Sequence, residues 1–412
     1  MQVESENSNE ERLPEPSHDE YALSAKLAFE IVSEIRESGP MPFSRFFDQA
    51  LYHPTLGYYT GPQAVFGREG DFITAPLISD LFSRSLANQI IEIQGLMSDQ
   101  EDFQILEIGA GNGTMARDIL LHLAKLNQLP KKYLILEVSP NLIERQRALI
   151  AEALPEFISH VEWIHSPPKA AWKGVIIANE VLDALSVERF RMVNGQPQYV
   201  DVGLEVNDAD KTVTFAPVLR AADQALKDFY EALNSRGIEL PEGCETEYCP
   251  HLEVWLPALF VHMTEGAALF IDYGYDEKEY YRPERMTGTL IAHYKHRAHE
   301  DFYLYPGLQD LTANVNFTQA ATVLVDMGLE FLGYTSQSYF LLGNQLQELV
   351  AEDRDTFPDT QEGELAWFEL SKRVQHLIHP EEMGERFKVL AVGKNFDYAL
   401  QGFELHDYAH HL

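Results

Sequence analysis

Cysteine is almost absent: the 412-residue chain has two, Cys244 and Cys249, too few for a disulfide framework. With His251 nearby they offer three ligands rather than the four of a structural zinc site, so no metal centre is expected. Positive charge is scarce as well, with 31 Lys and Arg against 65 Asp and Glu and a formal net charge of −34. That balance works against general nucleic-acid binding, which needs a basic stripe facing the phosphates. It suits a cationic substrate such as an arginine- or lysine-bearing segment, although acidic charge also serves solubility alone. No apolar run reaches the roughly 18–20 residues of a membrane span. The first twenty residues carry Glu4, Glu6, Glu10, Glu11, Glu15, Asp19 and Glu20. They have neither the charged-then-apolar order of a secretory signal nor the Arg-rich, acid-poor character of a transit peptide. Residues 1–20 therefore read as a disordered acidic tail, and a cytoplasmic location is expected.

What is present is a globular composition, 45% hydrophobic, in a chain long enough for one large α/β domain with insertions. The most informative stretch is Ile105-Leu106-Glu107-Ile108-Gly109-Ala110-Gly111-Asn112-Gly113-Thr114. An apolar strand runs through an acid into a glycine turn, and Met115–Leu120 then starts a helix. Glycines allow positive φ and close approach of the backbone to a ligand, so such a unit can cradle a nucleotide-like cofactor. Dinucleotide enzymes use related turns. The G-x-G-x-G spacing with an acid two residues upstream instead resembles motif I of the S-adenosylmethionine-dependent methyltransferases. The candidate cofactor residues are Glu107, Gly109, Ala110, Gly111 and Gly113, together with Glu137 and Ser139 after the next apolar run, Tyr133–Leu136. An acid ending the second strand can accept hydrogen bonds from ribose hydroxyls, or can simply favour the dipole of the helix expected over Asn141–Ala151.

Val161–Ile164 reads as a third strand. Val175–Ala178 reads as a central strand buried on both faces, ending in Asn179, Glu180 and, three residues on, Asp183. These three are the candidate catalytic residues, since carboxylates at a strand end can grip a cation beside a methyl donor; helix capping by Asn179 and Asp183 is the alternative. Ala267–Gly274 reads as a fifth parallel strand, bringing Asp272 and Tyr273 to the same opening. His296 is a further candidate for substrate contact, or an ordinary loop histidine. Leu329–Tyr334 and Phe387–Val392 read as two further candidate strands. Helices are expected over residues 21–37, 43–51, 81–96, 221–234 and 253–262, and over most of 338–382. Residues 187–218 show two short β runs, Arg189–Val193 and Thr212–Val218, and Tyr52–Pro76 reads as a packed loop near a ligand.

Across about Gly39 to Asn395 the chain resembles the MidA-like family of class I methyltransferases, bacterial relatives of the mitochondrial complex I assembly-factor protein arginine methyltransferase. The resemblance rests on ordered strings: His53-Pro54-Thr55-Leu56-Gly57-Tyr58-Tyr59, Gly70-Asp71-Phe72-Ile73-Thr74-Ala75-Pro76, the Glu107–Gly113 loop, Glu137–Pro140, Asn179–Leu185 and Asp272-Tyr273-Gly274. Gly288-Thr289-Leu290, Pro306–Thr312 and His379–Phe387 follow downstream. Four places depart from the pattern. Leu77 replaces an acid, Phe82-Ser83 a Phe-Gly pair, Ser186 a proline, and Asn314 and Asn316 a His and an Asp.

The resemblance implies a class I, Rossmann-like sheet, mostly parallel, with a C-terminal antiparallel pair. It implies S-adenosyl-L-methionine as cofactor and an arginine of a protein partner, such as a respiratory-complex subunit, as methyl acceptor. A small-molecule methyltransferase and a cofactor-binding assembly protein are the alternatives. The expected organisation is an N-terminal region at 21–100 covering the cofactor site, a catalytic domain at 101–400 with insertions at about 205–265 and 338–382, and a tail at 401–412. A homodimer is compatible with it.

Overall fold

The computed structural model describes residues 13–61, 74–209 and 211–412. Residues 1–12 of the expected acidic tail lie outside the described residues. The first helix, α1 (His18–Ser38), begins where that tail was expected to continue. Ser17 and Glu20 form a reciprocal cap there, with the Ser17 N–H donating to Glu20 Oε2 at 2.6 Å. Such a cap satisfies two otherwise orphaned donors and fixes the helix start inside the expected tail. Leu27, Ile31 and Ile35 form its buried stripe. It packs with α2 (Phe43–Tyr52), which buries Phe43, Phe46, Phe47, Ala50 and Leu51. Short α3 (Ala75–Ile78) leads into α4 (Asp80–Leu96), capped by Ser79.

The central sheet starts with β1 (Phe103–Ile108), α5 (Thr114–Lys125), β2 (Lys132–Leu136), α6 (Pro140–Ala153), β3 (Val161–Ile164) and β4 (Trp172–Asn179). An antiparallel excursion follows: β5 (Glu188–Val193), β6 (Gln196–Val206), β7 (Val213–Ala221), α7 (Gln224–Ser235) and β8 (Glu245–Tyr248). Next come α8 (Leu252–Phe260), the long strand β9 (Met263–Tyr275) and α9 (Glu277–Tyr280). A small sheet of β10 (Ile291–Tyr294), β11 (Arg297–His299) and β12 (Asp310–Thr312) precedes β13 (Val315–Asn316) and α10 (Phe317–Asp326). The chain returns through β14 (Glu330–Ser336), α11 (Gln337–Gly343), α12 (Leu346–Asp355) and α13 (Gln361–Ile378) to β15 (Phe387–Lys394).

The main order is β14-β15-β9-β4-β1-β2-β3. β9, β4, β1, β2 and β3 pair in parallel, while β15 is antiparallel to both β9 and β14. This is the class I, Rossmann-like arrangement expected from the sequence. One face is covered by α4, α5 and the α11–α13 excursion, the other by α8 and α10.

Three expectations are revised. The region 21–100 splits between two cores, α1 and α2 packing on the excursion through contacts such as Phe46 with Phe215 (5.6 Å between centroids), and α4 joining the main sheet. Residues 401–412 are no loose tail: Phe403 is buried, and the Tyr408 N–H donates to the Tyr334 carbonyl at 2.6 Å. The 187–218 region holds a third, longer strand, β6, between the two expected runs. Its hairpin with β5 turns at Asn194-Gly195, both with positive φ (53° and 70°), the dipeptide favoured by tight hairpins. Pro197 and the buried Asp201, paired with Arg220 at 2.5 Å, interrupt its apolar alternation. The two cysteines sit in separate places, Cys244 in the core of the excursion and Cys249 against other clusters.

Gly174 in β4 has φ 146°, and a Cβ there would lie 1.8 Å from the Gln104 carbonyl oxygen of β1. Gly174→Ala must therefore push apart two central strands. It is expected to lower unfolding free energy by roughly 2–3 kcal/mol in urea denaturation.

Candidate active site

A cavity of about 860 Å³ opens at the carboxyl ends of β1, β2 and β4, lined by the segments that follow each strand. In open α/β sheets this is where ligands bind. After β1, Gly109, Gly111 and Gly113 take φ of 64°, 54° and 89°. A side chain at 109 would come within 3.2 Å of Val181 Cγ2, and one at 113 within 3.1 Å of the Gln146 backbone. Gln146 in α6 closes the loop from below, donating to the Gly111 carbonyl at 2.8 Å and to Glu137 Oε2 at 3.1 Å.

Glu137 follows β2 and is further anchored by the N–H groups of Val138 and Ser139, each 2.9 Å from Oε1. An ionised carboxylate can accept about four hydrogen bonds, so three internal donors fix its rotamer and leave capacity toward the cavity it lines. Burial pushes its pKa up, opposed by these donors. Glu107 is fully buried; Tyr133 donates to Oε2 at 2.6 Å, while Oε1 has no partner among the described residues. Burial raises its pKa to about 7 against the Tyr133 hydrogen bond.

Beyond β4 the backbone turns sharply. Glu180 has φ 53°, rare for a residue with a Cβ, while its N–H donates to the Ile271 carbonyl at 2.8 Å. The next three N–H groups, of Val181, Leu182 and Asp183, converge on Asp272 Oδ2 at 3.1, 2.9 and 3.2 Å. Asp272 Oδ1 accepts from the Tyr273 N–H at 2.9 Å. The turn presents Glu180 and Asp183 to the cavity. Asp183 Oδ2 accepts from the Tyr273 hydroxyl at 2.5 Å, while the buried Asp183 Oδ1 and Asn179 Oδ1 have no partner among the described residues. Burial, then repulsion from Asp183, lifts Glu180 to about 8, and burial lifts Asp183 to about 6.

The opposite wall comes from outside the parallel sheet. Tyr52 of α2 stacks on Tyr59, with centroids 5.6 Å apart and planes 25° apart. The Tyr59 hydroxyl donates to Asp310 Oδ1 and Oδ2 at 3.1 and 3.0 Å, and that of Tyr52 to the Ala184 carbonyl at 2.8 Å.

Comparison with known proteins decides the class. Residues 85–335 match the family described as "Putative S-adenosyl-L-methionine-dependent methyltransferase". The chain belongs to this methyltransferase family. A crystal structure of a Burkholderia thailandensis protein bound to S-adenosyl-homocysteine superposes on the methyltransferase with a TM-score of 0.86 at 35% identity, covering 97% of this chain and 100% of that one. Among curated relatives, the Drosophila melanogaster mitochondrial protein arginine methyltransferase NDUFAF7 homolog is 30% identical over 92% of this chain and 87% of its own length. Human mitochondrial protein arginine methyltransferase NDUFAF7 is 27% identical over 88% and 82%.

The cavity fits S-adenosyl-L-methionine: a glycine loop with open approach, two carboxylates at its near end, and unpartnered acceptors for a ligand bearing ammonium and sulfonium charge. Of the residues singled out from sequence, Glu107, Gly109, Ala110, Gly111, Glu137, Asn179, Glu180 and Asp183 line it. Gly113 and Ser139 stand behind the lining, where they shape the loop and hold Glu137. Asp272 and Tyr273 also stand behind it, so direct substrate contact by Asp272 is replaced by a backbone-holding role. The structure does not bring His296 to the cavity: it is exposed in the β10–β11 turn and is not among the described lining residues. At the departures, Leu77 and Ser186 line the cavity, Phe82 and Ser83 are buried in α4, and Asn316 caps α10, accepting the Gln319 N–H at 3.1 Å. The Asn314 N–H donates to Thr289 Oγ1 at 3.0 Å. Residues 70–73 of the Gly70–Pro76 string lie outside the described residues.

Tyr52, Tyr59, Asp48 and Asp310 were not assigned from sequence. The strings around Tyr59 and Asp310 flagged both regions, but the two residues meet across 251 positions of chain.

Asp272→Ala strands four backbone donors. It is expected to cost at least about 3 kcal/mol in urea denaturation, while Tyr273→Phe, which loses one hydroxyl, costs about 1 kcal/mol.

Proposed function

We propose that the protein transfers the methyl group of S-adenosyl-L-methionine to a guanidinium nitrogen of an arginine in a partner protein. The observation that carries this reading is charge: Asp48, Glu107, Glu137, Glu180, Asp183 and Asp310 line the cavity, with no Lys or Arg among its described lining residues. The names of the fly and human relatives support the same acceptor.

When bound, S-adenosyl-L-methionine supplies a methyl group already activated by its sulfonium. Glu137 holds the ribose hydroxyls, and the Gly109–Gly111 backbone lets the cofactor approach. Glu107, Ala110, Gly113 and Ser139 complete this end by shape and support. Glu180 and Asp183 receive the guanidinium fork, turn one nitrogen toward the methyl, and accept the proton that nitrogen loses. Asn179, whose Nδ2 donates to Glu180 Oε1 at 3.2 Å, steadies the base. Asp272 and Tyr273 act through Asp183. A guanidinium releases its proton only above about pH 12 in water, so carboxylates that stabilise the developing charge are needed at neutral pH. The same reading includes a cytoplasmic location and a respiratory-complex subunit as partner. It also includes a homodimer, which sedimentation of the full chain would test.

The cofactor end is tested by binding. Glu137→Ala is expected to weaken S-adenosyl-homocysteine by about 1–3 kcal/mol in calorimetry. Gly111→Val, which puts a β-branched residue at φ 54°, should abolish measurable binding. Unchanged affinity in either folded variant would move the cofactor elsewhere.

The acceptor end is tested by pH. In the free protein Glu180 is protonated below about 8 and Asp183 below about 6. A protonated carboxyl neither grips a cation nor takes its proton, so kcat/KM should rise with pH between about 6 and 8 as the pair ionises. Glu180→Gln should remove the upper part of that rise and cut turnover about a hundredfold, with cofactor affinity little changed. Full activity would remove Glu180 from the reaction.

A further inference from the structure

The carboxylates explain attraction of a cation but not selection of a flat one. Tyr52 supplies that element. Its hydroxyl is tied to the Ala184 carbonyl, one residue past Asp183, and one ring face is covered by Tyr59. The residue is nevertheless 37% exposed and lines the cavity, so part of its surface is open to a ligand there. The negative charges acting on its hydroxyl are Asp310, Asp183, Asp48 and Glu137. Close by, Asp183 Oδ1 is a buried acceptor with no partner among the described residues, on a residue only 5% exposed. A rigid aromatic face beside an unsatisfied carboxylate oxygen matches a planar, delocalised cation, which stacks through its π face and donates through its edge. An ammonium, compact and strongly hydrated, uses only the charge.

We infer that Tyr52, held by Tyr59 and Ala184, is the stacking platform of the acceptor subsite, and that with Asp183 it selects planar guanidinium over ammonium. This rests on the arginine reading above but makes a separate claim, about what holds the acceptor flat.

The test uses the full-length protein with S-adenosyl-homocysteine bound, and measures methylguanidinium and methylammonium binding by calorimetry. Wild type should prefer methylguanidinium by about tenfold or more. Tyr52→Phe keeps the face and should stay within about threefold of wild type. Tyr52→Leu removes it and should lose about tenfold for methylguanidinium but little for methylammonium. S-adenosyl-homocysteine affinity and thermal midpoint, measured alongside, report whether each variant is folded. In turnover with an arginine peptide, Tyr52→Leu should raise KM more than it lowers kcat.

Equal losses in Tyr52→Phe and Tyr52→Leu would show that the hydroxyl tether matters and the face does not, overturning the inference. No loss in Tyr52→Leu would overturn it equally. Should wild type methylate no arginine peptide yet bind methylguanidinium in a Tyr52-dependent way, the arginine reading fails and the platform stands. Should it methylate arginine while binding stays indifferent to Tyr52, the arginine reading stands and the platform fails.

Discussion

The carboxylate of Asp272, at the end of β9, receives the backbone N–H groups of Val181, Leu182 and Asp183 from the neighbouring strand and that of Tyr273 from its own. Four donors on one buried carboxylate oppose its desolvation without overcoming it, and its pKa stays well above the usual carboxylate range. They also determine the backbone just after β4. Glu180 is held at positive φ, and the direction in which both Glu180 and Asp183 point follows from that turn. The strain of a non-glycine residue there persists only where surrounding structure over-determines it, and Asp272 with the Ile271 carbonyl does so. The repulsion runs toward Asp272: the charges of Asp183 and then Glu180 add to its burial in raising its pKa.

The cavity has two walls of different origin. The glycine-loop wall is made by loops that any sheet of this order must place at its carboxyl edge. The opposite wall is made by α2, by residues 53–61 that follow it and by β12, which pack with the antiparallel excursion in a core of their own. The second wall can change without disturbing the first. The two walls are thus physically separable in this fold, the condition under which one scaffold serves many ligands.

The glycine-loop wall of the cavity was legible in the sequence because its signals are local. A glycine turn after an apolar run, and acids ending consecutive strands, fall within a few residues of one another. Most strands and helices were legible from period and length, while the mostly parallel sheet and its antiparallel ending came with the resemblance to the methyltransferase family. The opposite wall was not, because Tyr52, Tyr59 and Asp310 acquire meaning only when α2 folds against β12. His296, singled out on a segment expected to reach the opening, is instead exposed in the β10–β11 turn. Asp272 was picked out for its carboxylate, but its oxygens are consumed by backbone donors that no spacing rule reveals. β6 was missed for a related reason: its buried Asp201 is made tolerable by Arg220 from the adjacent strand, a compensation invisible one strand at a time.

The position of β9 has a bearing on how the chain comes to be folded at all. β9 lies between β4 and β15, and β15 is the last strand of the sheet in chain order. During synthesis β1 to β4 and then β9 can assemble as soon as they emerge. The outer edge of β9, thirteen residues long and largely apolar, then waits for a partner still to be translated. An open apolar edge is a template for pairing with another chain, and such long-range closure is slow because loop entropy opposes it before any contact rewards it. Because β15 follows β9 in the chain, the edge of β9 that faces it gains that partner only after β15 has been made. Chaperone capture and misassembly would both act before then.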